Sequence, residues 1–97
     1  MATDLTGKIA LITGGGQGVG QGVALAMAGA GASLVLFGRT LAKLEVTAAM
    51  ITERGGKALT VAGDVASADD LGAAVQAAVD GFGGVDILVN NAQVVPN

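Results

Sequence analysis

Between positions 13 and 20 the chain reads Thr13-Gly14-Gly15-Gly16-Gln17-Gly18-Val19-Gly20. Glycine admits positive φ and keeps Cβ atoms out of the way, so such a loop lets backbone N–H groups approach an anion closely. Where a helix begins inside the loop, its unpaired amides and the positive end of its dipole favour a phosphate. The spacing is G-x-x-x-G-x-G at Gly14, Gly18 and Gly20 rather than the strict G-x-G-x-x-G, and no Gly-Lys-Ser/Thr comes after it, which excludes a Walker A loop. The plainer alternative is a glycine-rich turn that only packs a helix close on a strand.

Other chemistries are excluded by composition. The chain has 97 residues with no Cys, no His and no Tyr. A disulfide framework, a thiolate zinc site and an imidazole or phenol acid–base group are therefore absent from it. The formal charge is -3 and the pI about 4.4, so there is no basic footprint for nucleic acid or an anionic membrane. No apolar run approaches the roughly 20 residues that cross a bilayer, and the start MATDLTGKIALIT does not read as a secretory signal. Cytoplasm is the expected compartment.

The elements that must hold the glycine loop are set by periodicity. Lys8–Thr13 is a short, nearly continuous apolar run, as expected for a strand covered on both faces. Gln17 to about Ala30 reads as a helix with Val19, Val23 and Met27 on one face. Ser33–Phe37 is a second strand. Thr40 stands as an N-cap before Leu41, Leu44, Ala48 and Ile51, one face of a second helix stopped by Gly55-Gly56. Ala58–Ala62 is a third strand. Ser67-Ala-Asp-Asp70 has the S-x-x-D form of a helix start, with Asp69 and Asp70 as first-turn acids. Leu71, Val75, Ala78 and Phe82 form the third helical stripe, and Val85–Val89 a fourth strand in which Asp86 reads as structural. The order β-α-β-α-β-α-β implies parallel strands and right-handed crossovers, in an α/β, Rossmann-type doubly wound sheet of order 3-2-1-4.

That sheet is expected to be incomplete. The fourth strand would be an edge, yet VDILV carries a single charge and reads as an internal strand. A mean hydropathy of +0.66 with 52% hydrophobic and 13% charged residues is high for a free-standing domain of this size. Both features suggest apolar surface that packs against something else.

Three motifs in order, Thr-Gly-x-x-x-Gly-x-Gly after the first strand, Gly63-Asp64-Val65 after the third and Asn90-Asn91-Ala92 after the fourth, make the chain resemble the short-chain dehydrogenase/reductase family. The resemblance covers essentially the whole chain. It implies that residues 1–97 are the N-terminal part of a single dinucleotide-binding domain, from an NAD(P)-dependent oxidoreductase acting on a small carbonyl or alcohol substrate. By position, Gly14, Gln17, Gly18, Val19 and Gly20 resemble the diphosphate-binding turn. Asp64 resembles the acid that hydrogen-bonds the adenine amino group, with Val65 beside the ring; taken alone, Asp64 reads rather as a turn cap before Ser67, and the family position reverses this. Asn90 and Ala92 resemble the segment that lines the cofactor ribose and steadies the central strand. Gln93 stands where the family usually has glycine.

Cofactor choice turns on the residues just past the second strand. An acid there would hold the ribose 2′-OH of NAD. The chain instead reads Phe37-Gly38-Arg39-Thr40. Arg39 suits the 2′-phosphate of NADP through its planar guanidinium, the alternative being a solvated loop charge. Thr40 either adds a hydroxyl contact or only caps its helix. Gln17 lies where many NADP-using relatives carry a basic residue. NADP is expected, with NAD as the alternative. The family's proton-transfer machinery resembles an Asn, a Ser and a Tyr-x-x-x-Lys pair, beyond the stretch matched here, so no catalytic and no metal-binding residue is assigned. The chain alone is expected to be inactive and the complete protein a homo-oligomer. A different class of function is a non-catalytic nucleotide-binding or assembly module.

Overall fold

The structure is a computed structural model that describes residues 4–16 and 18–91. Its elements run β1 (Ile9–Thr13), α1 (Gly18–Gly29), β2 (Ser33–Gly38), α2 (Leu41–Glu53), β3 (Lys57–Ala62), α3 (Ala68–Phe82) and β4 (Ile87–Asn90). The strands are all parallel and lie in the order β3-β2-β1-β4. Ala10 pairs with both Leu34 and Ile87, and Thr13 with both Phe37 and Asn90.

Successive side chains of a strand face opposite sides of the sheet, and the core splits accordingly. Ala10, Ile12, Leu34 and Leu36 face the layer of α1 and α2, where they meet Ala24, Leu44 and Ile51. Leu11, Val35 and Phe37 face α3 and meet Ala74 and Ala78. The chain winds outward through β1, β2 and β3 on one face, then crosses back over the other face to β4. The C-terminal ends of β1 and β4 therefore flank the point where the winding reverses, the place where open α/β sheets bind ligands.

The expected elements are all present, with shifted details. β1 begins at Ile9 and β4 at Ile87 because Asp86 closes their shared end: its N–H donates to the Ile9 carbonyl (2.8 Å) and its carboxylate accepts the Ile9 N–H (2.9 Å). Two helical faces turn out differently. On α3 the buried positions are Ala74 and Ala78, while Val75 is 44% exposed. On α1 they are Gly20 and Ala24, while Val19 is 73% exposed. In both helices the small residue takes the sheet side, which lets the helix axis approach the strands. The S-x-x-D start holds: Ser67 Oγ accepts the Asp70 N–H (3.2 Å). Gly83, at φ 104, ends α3 in the left-handed conformation that glycine adopts without strain.

Leu88 pairs with Leu11 and so points to the α3 side. It lies beyond the reach of α3 and is 63% exposed. No helix among the described residues is long and apolar enough to cross a membrane.

Candidate functional site

The glycine turn leaves β1 at Thr13, and each glycine meets a different constraint. Gly14 has φ 71, and its N–H donates to the Phe37 carbonyl of β2 (2.8 Å), carrying the ladder one step past the strand. Gly20, on the first turn of α1, is buried against that same Gly14. A Cβ there would coincide with the Gly14 carbonyl oxygen and lie 2.6 Å from Asn91 Nδ2. A Cβ on Gly16 would lie 3.1 Å from Lys43 Cβ and 3.2 Å from the Leu44 nitrogen. Gly18 has φ 59, and open space lies where its side chain would be. α1 has no acid in its first turn, so the partial positive charge of its N-terminus is not offset there.

The other wall comes from β4. Thr13, almost fully buried, donates from Oγ1 to Asn90 Oδ1 (3.0 Å) and accepts the Asn91 N–H (3.0 Å). Asn91 Nδ2 then donates to the Gly14 carbonyl (3.5 Å). The ends of β1 and β4 and the start of the glycine turn are thus tied through one hydroxyl and two carboxamides. Asn90 pairs with Thr13 at the end of β4. Asn91 and Thr13 were not expected as site residues, although both stand inside the motifs; the doubled Asn after a strand was the available signal.

One and two strands from β1, β2 and β3 end in Gly38-Arg39-Thr40 and Gly63-Asp64-Val65. Neighbouring strands are about 4.8 Å apart, so the rim from Thr13 to these residues spans about 10 Å, the scale of an adenosine. Arg39 Nη2 lies 3.5 Å from Asp64 Oδ1, with side chains 76% and 47% exposed. This contact is long and wet, and it leaves both groups accessible. Asp64 Oδ1 also accepts the Ala66 N–H (2.8 Å). That bond first, and then the charge of Arg39, hold the Asp64 carboxyl below the ordinary aspartate range.

Asp64 is therefore both a turn residue and an exposed acceptor. Its own N–H donates to Asp70 Oδ2 (2.9 Å), so Asp70 anchors the loop as well as its helix. A Cβ on Gly63 would lie 2.7 Å from the edge of the Phe37 ring and 2.9 Å from Asp70 Cβ, which explains the glycine before the acid. Val65 packs at the margin of the α3-side core. Thr40 occupies the N-cap position of α2, but its side chain makes no cap hydrogen bond; its carbonyl accepts the N–H groups of Lys43 and Leu44. Gln17 and Ala92, both expected at the site, and Gln93 lie outside the described residues.

Among the described residues no cluster of three or more His, Cys, Asp or Glu is placed to hold a metal. Lys8 and Lys57 stand at the N-terminal ends of β1 and β3, away from this rim, while Lys43 lies against the glycine turn.

Residues 8–97 match the family model of the short chain dehydrogenases. The chain is 39% identical over 88 residues to the short-chain dehydrogenase/reductase homolog YusS of Bacillus subtilis, covering 90% of this chain and 81% of that protein. It is 39% identical to the ketoacyl reductase HetN of Nostoc, over 98% of this chain and 33% of that one. Among solved structures, L-sorbose reductase from Gluconobacter frateurii, complexed with NADPH and L-sorbose, is 40% identical with a TM-score of 0.92. That match covers all of this chain and 37% of the reductase. A metagenomic short-chain oxidoreductase in complex with NADP is 34% identical with a TM-score of 0.85, over 92% of this chain and 40% of that one. The chain thus spans most of one curated relative and between 33% and 40% of the others named. With the doubly wound sheet, the glycine turn and the tied ends of β1 and β4, these matches establish that the chain belongs to the short-chain dehydrogenase/reductase family.

Proposed function

We propose that this chain is the cofactor-binding part of an NADP-dependent oxidoreductase acting on a small carbonyl or alcohol substrate. The observation that carries the cofactor choice is Arg39. It stands at the end of β2, where an acid would serve NAD, and its guanidinium is exposed beside Asp64. The NADPH and NADP bound by the two similar proteins of known structure support the same reading.

The residues present fit a dinucleotide. The cradle at Gly14 and Gly20 is free of Cβ atoms, and open space lies before Gly18. The amides at the start of α1 would hold the diphosphate, with Gln17 and Val19 in the same turn. Asp64 would accept from the adenine amino group beside Val65, and Arg39 with Thr40 would hold the 2′-phosphate. Asn90 and Ala92 would line the ribose on the nicotinamide side. The bound nicotinamide supplies or accepts the hydride. This chain's residues bind and orient the cofactor and keep a carboxylate charged at its adenine end.

The chain has no Tyr and no His, so proton transfer would fall to residues outside it, and residues 1–97 alone would turn nothing over. Residues 1–97 would then form the N-terminal part of a single dinucleotide-binding domain. The absence of cysteine suits a cytoplasmic protein, and a homo-oligomer is the assembly in keeping with the apolar surface left on β4. The missing proton donor equally favours a second reading, a nucleotide-binding or assembly module that never catalyses.

The test is the ratio of kcat/KM for NADPH and NADH in the complete protein, and its change in Arg39→Asp. Preference for NADPH that weakens or reverses in the variant supports the reading. An unchanged preference removes Arg39 from it. Cofactor binding without turnover on any carbonyl or alcohol tested favours the second reading.

A further inference from the structure

We propose that Lys43 is a specificity-determining residue of the cofactor site: a second cation that, with Arg39, selects an adenosine carrying a 2′-phosphate. The inference rests on the dinucleotide reading above and deepens it.

The first support is placement. A Cβ built on Gly16 would lie 3.1 Å from Lys43 Cβ, so the base of the lysine side chain stands at the flank of the glycine turn. Its N–H donates to the Thr40 carbonyl (3.1 Å), and it stands three residues along the helix from Thr40, on the same face. Arg39 precedes Thr40. Arg39, Thr40 and Lys43 therefore all stand at the start of α2, with Lys43 on the side of the glycine turn. The glycine turn itself offers no cation there, having Gln17.

The placement is also held. Thr47, fully buried, donates from Oγ1 to the Lys43 carbonyl (3.5 Å) and accepts from Gln21 Nε2 of α1 (3.1 Å). The turn of α2 that carries Lys43 is thereby tied to the helix that begins in the glycine turn.

The second support is charge. Lys43 sits in the first turn of α2, where the helix dipole disfavours a cation. α2 has no acid in that turn, whereas α3 starts with a Ser67 cap, Asp69 and Asp70. Arg39 adds a second cation beside the same end, and the Asp64 carboxylate meets it only across 3.5 Å. Two of the chain's five cations thus stand where they do not help the helix. A phosphate dianion near that end would be attracted by both cations and by the helix N-terminus, and an ordinary ribose hydroxyl would gain far less.

Calorimetric titration of the complete protein with 2′,5′-ADP and with 5′-AMP tests the inference. The parent chain should bind 2′,5′-ADP more tightly. Lys43→Gln should weaken 2′,5′-ADP about tenfold, the scale of one lost charge-assisted bond, and leave 5′-AMP within about twofold. Lys43→Arg should keep most of the preference, and the salt dependence of 2′,5′-ADP binding should flatten in Lys43→Gln. If Arg39→Gln removes the preference but Lys43→Gln does not, the inference fails and the NADP reading stands. Equal weakening of both ligands by Lys43→Gln also overturns it, because the lysine then serves the shared 5′-phosphate. A parent chain without any preference overturns the NADP reading itself. Should Lys43→Gln lose its helical circular dichroism, the comparison of Lys43→Arg with Lys43→Met decides by the same ratio.

Discussion

The hydroxyl of Thr13 accepts the backbone N–H of Asn91 at 3.0 Å, across 78 residues of sequence. The same oxygen donates to Asn90 Oδ1. One side chain thus joins the first strand to the last at the point where the sheet's winding reverses. The glycine turn starts at the next residue, so its position relative to β4 depends on this hydroxyl.

Thr13→Val keeps the shape and removes the hydroxyl. The Asn91 N–H and Asn90 Oδ1 then lose their partner in a half-buried place. The expected cost is about 1–3 kcal/mol, read as a lower urea midpoint at fixed chain concentration, together with weaker cofactor binding. Thr13→Ser should recover both. Equal midpoints for the parent and Thr13→Val would show that the hydroxyl contributes nothing net.

Gly20 and Gly18 should separate fold from binding. Gly20→Ala places a methyl on the Gly14 carbonyl, where backbone rather than a flexible side chain must move. It should destabilise by about 1–3 kcal/mol and open the turn. Gly18 faces open space at φ 59, so Gly18→Asn, which tolerates that φ, should fold normally and lose cofactor affinity. Gly18→Val adds a β-branched residue at positive φ and should cost stability as well as affinity. Undiminished affinity in Gly18→Asn would reduce the turn to a packing device.

Asp64 carries a pH signature. Its carboxyl is held below its ordinary value of 3.8 by the Ala66 N–H and then by Arg39. A depressed folded value means the group's stabilising contribution is complete above the unfolded value and disappears as pH falls through the folded one. Stability should therefore drop less below pH about 4 in Asp64→Asn than in the parent chain. Carbon-detected NMR of the Asp64 carboxyl should place its midpoint under that of an exposed aspartate, and Arg39→Gln should raise it part of the way. A midpoint at or above the ordinary value would remove the bond to Ala66 as a feature of the folded loop.

Much of this was legible in the sequence because the deciding signals are local. Strand–turn–helix alternation is written in short apolar runs and glycines; it dictates parallel strands, and the order found is one of the few doubly wound orders compatible with it. The parts that were not legible depend on partners far along the chain. Val75 and Ala74 fit an apolar stripe equally well, and only the closeness of α3 to the sheet favours alanine. Thr47 is buried because Gln21 of α1 stands opposite it, a pairing 26 residues apart in sequence. Asp70 reads as a first-turn acid, which it is, but its bond to the Asp64 N–H appears only once the loop has folded back. Lys43 shows its neighbour, Gly16, only in three dimensions.

The last prediction concerns the free edge of β4. Among the described residues Ile87–Asn90 pairs only with β1, which leaves the N–H and C=O groups of its other side without a ladder there. Leu88 is 63% exposed on the α3 side, and Val75 and Val79 of α3 are each 44% exposed. An apolar edge strand of this kind pairs with whatever strand it meets. Residues 1–97 in isolation should therefore self-associate at micromolar concentration, and sedimentation velocity should show species heavier than one chain. Leu88→Lys puts a charge on the edge without touching the buried core. It should shift the distribution toward monomer while leaving the circular dichroism unchanged. Val46→Lys, a substitution at a site 56% exposed on α2, adds the same charge on the opposite layer and should leave association as it was. A parent chain that sediments as a monomer and melts in one cooperative transition would show that four strands and three helices suffice. Association that Val46→Lys disrupts as much as Leu88→Lys would mean that net charge, not the β4 edge, governs it.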